Sequence, residues 1–275
     1  MKNHIIYLFS FLILTGCAVQ NKDKISGNKE VITTNKDIDE DFSVLDIDDG
    51  LEVRLKQGYS TSYVLVADEN LVPVIKFEVR GNTLYVRTTK RITGSKQLDI
   101  YLTVNSLNGI LLKNDAEIES DGQLEFQTLA LTGQQSSRFD LDLKTEDLQV
   151  NLLDKSGGDL TINSEKATLL MNGRTDLDTK IKVKELTLTL NKKAKMNLKG
   201  SAKEAMVNVN GSANLSARRF EVDDAEISMA DKADVDIEVS DNLYLYAKDR
   251  SNLNLYGSPK LDVKGLGDKA SINKR

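Results

Sequence analysis

The chain has 275 residues, with 37 basic against 42 acidic side chains and a net charge of -5. The two signs are interspersed, as on an ordinary soluble surface, and this excludes nucleic acid as a partner, because such binding needs a concentrated basic patch. The one histidine, His4, and the one cysteine, Cys17, both lie near the N-terminus. A chain cut ahead of Cys17 and acylated on it therefore has no histidine triad, no thiol nucleophile and no His/Cys zinc site.

Taken in chain order, the first element is a signal. Lys2 is followed by the apolar run Ile5 to Leu14 and then by Leu14-Thr15-Gly16-Cys17, which resembles the lipobox cut by lipoprotein signal peptidase. The run is too short to span a bilayer and leads into small residues, so residues 1–16 read as a cleavable leader. The resemblance implies that Cys17 carries a diacylglyceryl thioether and an amide-linked acyl chain of the palmitate type. Several acyl chains give stable attachment where one gives a marginal hold. Ala18 in place of an aspartate points to the outer membrane, with the periplasmic and cell-surface orientations both open. Residues 17–40 are polar and lack periodicity, which predicts a flexible tether.

From 41 onward the pattern alternates with period two, the mark of half-buried strands. Residues 41–105 contain the longer strands, among them Phe42 to Ile47, Leu51 to Leu55, Tyr63 to Ala67, Ile75 to Val79, Thr83 to Arg87 and Leu98 to Val104. They are expected to form the first coils and their cap. Residues 106–275 repeat at about 18 to 20 residues, with leading strands such as Leu148 to Leu152, Leu186 to Leu190 and Leu243 to Tyr246. Each unit adds a second short strand, and a small residue recurs between them: Ser137, Gly158, Ala194, Ser212, Ala233 and Ser251. The whole predicts an all-β, right-handed single-stranded β-helix, a solenoid whose inward Leu, Val and Ile stack coil on coil. A β-sandwich with regularly spaced strands is the competing arrangement. Outward Asn151, Asn208 and Asn254 are expected to form polar ladders.

The run Phe42 to Leu55, then Gln57-Gly58, Val64 to Leu71, Gly81-Asn82-Thr83-Leu84-Tyr85-Val86 and Leu107-Asn108-Gly109-Ile110 resembles the "putative auto-transporter adhesin, head GIN domain" family. The likeness extends over roughly Phe42 to Ile272. It implies a right-handed single-stranded β-helix on lipid-anchored or secreted proteins of Bacteroidetes-type bacteria, with an adhesin role. Lys, Asp or Arg near the rung corners departs from the Gly-Ser/Ala-Gly of many members, which weakens the transfer of a binding face.

Carboxylates are the acids and bases that remain. Asp140 with Asp142, and Asp234 with Asp236, each project from one face of a strand, the arrangement used for Ca²⁺ or for glycoside hydrolysis. The simpler reading is a solvated face, so no catalytic residue, metal ligand or cofactor is assigned. Tyr244, Tyr246 and Tyr256 fall on consecutive late strands and are candidates for stacking on sugar rings. The function expected is a lipid-anchored, non-catalytic binding or adhesion module of the cell envelope, attached to the membrane by its lipid, with a glycan or protein ligand. A polysaccharide-active β-helix enzyme and a purely structural envelope protein are the alternatives.

Overall fold

The computed structural model describes residues 22–275. The N-terminal part contains β1 (Lys24–Ser26), β2 (Val31–Asp37), β3 (Val44–Ile47), β4 (Glu52–Gln57), β5 (Ser62–Asp68), β6 (Ile75–Arg80), β7 (Thr83–Thr88), β8 (Arg91–Gly94), β9 (Leu98–Val104) and β10 (Gly109–Leu112). The repeats are β11 (Glu117–Gly133), β12 (Arg138–Asp154), β13 (Gly157–Gly173), β14 (Asp176–Lys192), β15 (Lys195–Val209), β16 (Asn214–Met229) and β17 (Asp234–Ala247). The last coils are β18 (Asn252–Gly257), β19 (Lys260–Leu266) and β20 (Ser271–Lys274). Together they form a β-solenoid of about 9 turns. The sandwich alternative falls, because from β10 onward every strand pairs in parallel with the equivalent strand of the next coil.

Each regular coil has two walls and two corners. In β12 the first wall runs from Arg138 to Thr145, with Phe139, Leu141 and Leu143 inward. Glu146 and Asp147 both face outward and turn the chain. The second wall then sends Leu148, Val150 and Leu152 inward. Parallel register stacks like on like: Val150, Leu169, Leu188, Val207, Ile227 and Leu245 form one column of pairs. All six are essentially buried, and each contributes about 1.5–3 kcal/mol relative to exposure. That column is why period two in the sequence becomes a core.

The second corner is built from two further columns. Buried small residues, Ala116, Ser137, Ser156, Thr175, Ala194, Ala213, Ala233 and Ser251, accept the N–H of the residue that opens the next coil, as in Gly157 to Ser137 and Asp176 to Ser156. The sequence reading is right at Ser137, Ala194, Ala233 and Ser251. It errs at Gly158 and Ser212, where the ladder register places Ser156 and Ala213 instead. Beside this column stand left-handed residues: Gln135, Asp154, Lys192, Asp231, Asp249 and Asp268, with Gly173 and Gly211 in the same rank.

The segment expected to be tether is part of the body from residue 22 onward. β2 pairs antiparallel with β5, from Val31 opposite Asp68 to Asp37 opposite Ser62, and β1 pairs with β8. Buried Asp68 accepts the N–H of Lys29 at 3.2 Å and that of Lys96 at 3.0 Å. Lys22 Nζ reaches Asp49 Oδ2 at 2.5 Å and the carbonyl of Thr88 at 2.8 Å. The chain lays β3 and β4 first and builds a cap from β5 to β9 on one side of that coil. It then returns past the coil to β10, so β3 lies between β7 and β10, and β4 between β9 and β11. The leader and Cys17 lie outside the described residues.

Candidate functional site

The predicted tyrosines separate. Tyr244 and Tyr246 lie on the second wall in β17, 44% and 49% exposed, while their neighbours Leu243 and Leu245 are buried. Lys264 Nζ sits 5.3 Å from the Tyr244 ring centroid, and its hydrogen bond to Asp262 raises the pKa of its ammonium. Tyr246 leans onto Gly265 of the next coil, where a Cβ would meet the ring at 2.7 Å. Tyr256 is on the first wall instead, paired with Glu238 and covered by the Arg218 guanidinium at 4.9 Å. Alternation tells inward from outward but not one wall from the other, so the set of three reduces to a pair.

The carboxylates of the first wall form a row. Register places Glu119, Asp140, Asp159 and Asp178 side by side on successive coils, about 4.8 Å apart. Arg54 Nε closes one end on Glu119 at 3.3 Å, and Asn197 Nδ2 closes the other on Asp178 at 2.7 Å. Tyr101 raises the pKa of Arg54, through its charge and through the hydrogen bond it shares with the guanidinium. Glu52, Glu117 and Asp176 line the same groove, of about 340 Å³, with Arg138 among them. Asp142 accepts from Gln123 Nε2 at 3.0 Å, while Asp234 and Asp236 accept from Asn252 and Asn254 at 3.3 Å and 2.7 Å. Among the described residues no group of three or more His, Cys, Asp or Glu is placed to hold a metal ion.

A surface the sequence reading missed occupies the second wall. In five successive coils the three outward positions are Ala130, Thr132 and Gln134; Gln149, Asn151 and Leu153; Thr168, Leu170 and Asn172; Thr187, Thr189 and Asn191; and Met206, Asn208 and Asn210. None is charged. The plateau is bounded by the Lys113–Asp46 ion pair on one side and by Glu226 and Lys248 on the other. The corner beside it is charged, with Asp147, Lys166, Glu185 and Glu204 in one rank. The expected asparagine ladder through Asn151 and Asn208 does not form, because Leu170 and Thr189 stand between them in the column. Asn210 donates to Asn191 at 3.2 Å instead, and Asn254 belongs to the first wall. Its signal emerges only once the walls are told apart: the outward residues of the second-wall strands from Ala130 to Asn210, read down the repeats, carry no charge.

The sequence matches the model of the family described as "Putative auto-transporter adhesin, head GIN domain" over residues 41–161 and again over 153–259. Solved structures that share the fold include the following three. A putative adhesin from Parabacteroides merdae has 17% identity and a TM-score of 0.64, with 91% of this chain and 98% of that one covered. A putative adhesin from Parabacteroides distasonis has 15% identity and a TM-score of 0.68, with 92% and 100% covered. A putative lipid binding protein from Parabacteroides distasonis has 17% identity and a TM-score of 0.60, with 92% and 100% covered. No curated protein matches the chain.

Proposed function

We propose, from the premise that the chain belongs to the "Putative auto-transporter adhesin, head GIN domain" family, that it is a non-catalytic adhesion module of the cell envelope, held to the outer membrane by lipid on Cys17. The observation that carries this reading is the solenoid itself. Its parallel ladder continues from β10 to the last coil, with local register shifts, and holds outward side chains in repeating ranks, the kind of extended surface with which repeat proteins bind elongated partners. Adhesin-like neighbours with the same fold support it. With Lys22 tied to Asp49, only residues 18–21 separate Cys17 from the body, so a lipid on Cys17 would hold the solenoid close to its bilayer.

Fractionation of cells producing the full-length protein, with and without Cys17→Ala, tests the anchor. The wild type is expected in the outer-membrane fraction, and the variant, neither acylated nor cut at the lipobox, is expected to be missing from it. An unlipidated wild type overturns the anchor. Protease treatment of intact cells assigns the face, and adhesion of particles coated with the full-length protein to glycan-bearing surfaces tests the role.

The carboxylate row of the first wall favours a second reading, a polysaccharide-active enzyme. Neighbouring members of the row lie on strands about 4.8 Å apart, and retaining glycosidases use two carboxyl groups on a similarly short separation. Release of new reducing ends from a polysaccharide panel, abolished by Asp159→Asn, would establish that reading over the first.

A further inference from the structure

We infer that the uncharged plateau of the second wall binds a neutral polysaccharide laid across the coils, with Tyr244 and Tyr246 two coils beyond its last rank, on the far side of Glu226. This deepens the non-catalytic binding reading above and rests on it.

Charge is the first argument. In a chain with 29% charged residues, three outward positions in each of five adjacent coils have none, and the corner flanking them is charged. A soluble surface keeps charges interspersed, so a contiguous neutral wall that exposes Leu170 at 36% and Met206 at 49% is one that a partner covers. A polyanion or an anionic bilayer would find no cation on it. A neutral chain would have no ion to strip of water.

Chemistry is the second. Thr168, Thr187 and Thr189 offer hydroxyls, and Gln149 and Asn208 offer amides. Both groups donate as well as accept, which is what the hydroxyls of a sugar require. The threonines are stiff at χ1, so little side-chain freedom is lost on binding. The ranks repeat at about 4.8 Å, and a periodic surface suits a periodic polymer. Tyr244 and Tyr246 add two half-exposed rings in the same columns, beyond the coil that carries Glu226 and Ser228, able to lie on the C–H face of a sugar.

Area is the third. The plateau measures about 480 Å² from strand spacing and rise, short of the roughly 800 Å² that each partner of a stable dimer buries. A second copy of the chain is therefore the poorer occupant.

Full-length protein in detergent would be passed over immobilised starch, laminarin, mannan and dextran, with alginate and heparin as acidic comparisons. Retention on at least one neutral polymer is expected, and it should persist at about 0.5 M salt, where surface charge effects are screened. Thr168→Lys with Thr187→Lys should weaken it at least about tenfold, as for residues central to a contact, and Tyr246→Ala, beyond the last rank of the plateau, by a smaller factor. Thr161→Lys, outward on the first wall, should leave it intact, and circular dichroism verifies that each variant folds. Retention by acidic polymers alone, no retention on any neutral polymer, or retention indifferent to the paired lysines overturns the assignment. So does sedimentation showing a dimer that the paired lysines dissociate. Release of reducing ends would instead sink the non-catalytic reading, while the lysine variants still report on the face.

Discussion

The backbone N–H of Asp231 donates to Oδ2 of Asp249, one coil further along, at 3.1 Å, and both residues are left-handed at φ 63° and 62°. Asp249 in turn donates to Asp268 at 3.3 Å, and Gly211 donates to Asp231 at 3.0 Å. The corner is thus a relay in which each carboxylate caps the coil before it. Aspartate suits the position twice over, because it tolerates the left-handed region and supplies a short acceptor. Three substitutions at Asp249 separate the two roles. Asn keeps both and should be nearly neutral. Gly relieves the backbone but loses the acceptor, at about 1 kcal/mol, and Ala loses both, at about 2 kcal/mol. Urea midpoints ranking Asn above Gly above Ala are expected, and equal midpoints would remove the relay from the stability of the corner.

Phe139 is accommodated by glycine on two sides, by different means. At Gly133 a Cβ would meet the ring, with Phe139 Cε2 at 2.9 Å and Leu152 Cδ2 at 3.0 Å. At Gly158, where φ is +137°, it would meet backbone, with the Phe139 carbonyl oxygen at 1.9 Å. A double-mutant cycle distinguishes these cases. Gly133→Ala should cost less in a Phe139→Leu background than in the wild type, a coupling of about 1 kcal/mol. Gly158→Ala should cost about 3 kcal/mol or more in either background, because shortening the side chain moves no backbone. Rescue of Gly158→Ala by Phe139→Leu would contradict the geometry.

Residues 22–40 bear on stability rather than reach. Removing them uncovers β5 along the full length now paired with β2, and it strips from Asp68 the N–H of Lys29. An uncovered strand edge recruits other chains. A protein beginning at Asp41 should melt several degrees lower than one beginning at Lys22 and should self-associate in sedimentation. Equal melting and a monomer would restore the tether.

The stacked core could be read from the chain because inward residues fall at every second position, and Val150, Leu169 and Leu188 repeat that phase coil after coil. Corners were legible where one small residue stands alone, as at Ala194. They failed at Ser156-Gly157-Gly158 and at Ser212-Ala213, where neighbouring small residues compete and only the hydrogen-bond register decides. β2 escaped because it is a polar edge strand whose partner β5 is distant in sequence, so nothing local marks it. The separation of Tyr256 from Tyr244 and Tyr246 was hidden for another reason. Period two is blind to the corner at which one wall becomes the other, and the uncharged plateau emerges only when the walls are told apart.

Tyr63 gives the cap a dependence on alkaline pH. Its ring stacks on Phe77 with centroids 3.7 Å apart and planes 6° from parallel, and burial there raises the pKa of the phenol. Below the ordinary tyrosine range, folded and unfolded chains hold the same proton and the contribution of the stack is intact. As pH rises past about 10, the unfolded chain ionises first and draws the equilibrium toward itself. Stability is therefore lost on the alkaline side, through the folded pKa. Lysines titrate in the same range, so the informative quantity is the difference between wild type and Tyr63→Phe. Phenylalanine keeps the stack and has no proton to lose. The variant should gain stability relative to wild type between urea titrations at about pH 8 and about pH 11, and a pH-independent difference would show that the folded cap leaves the hydroxyl to water.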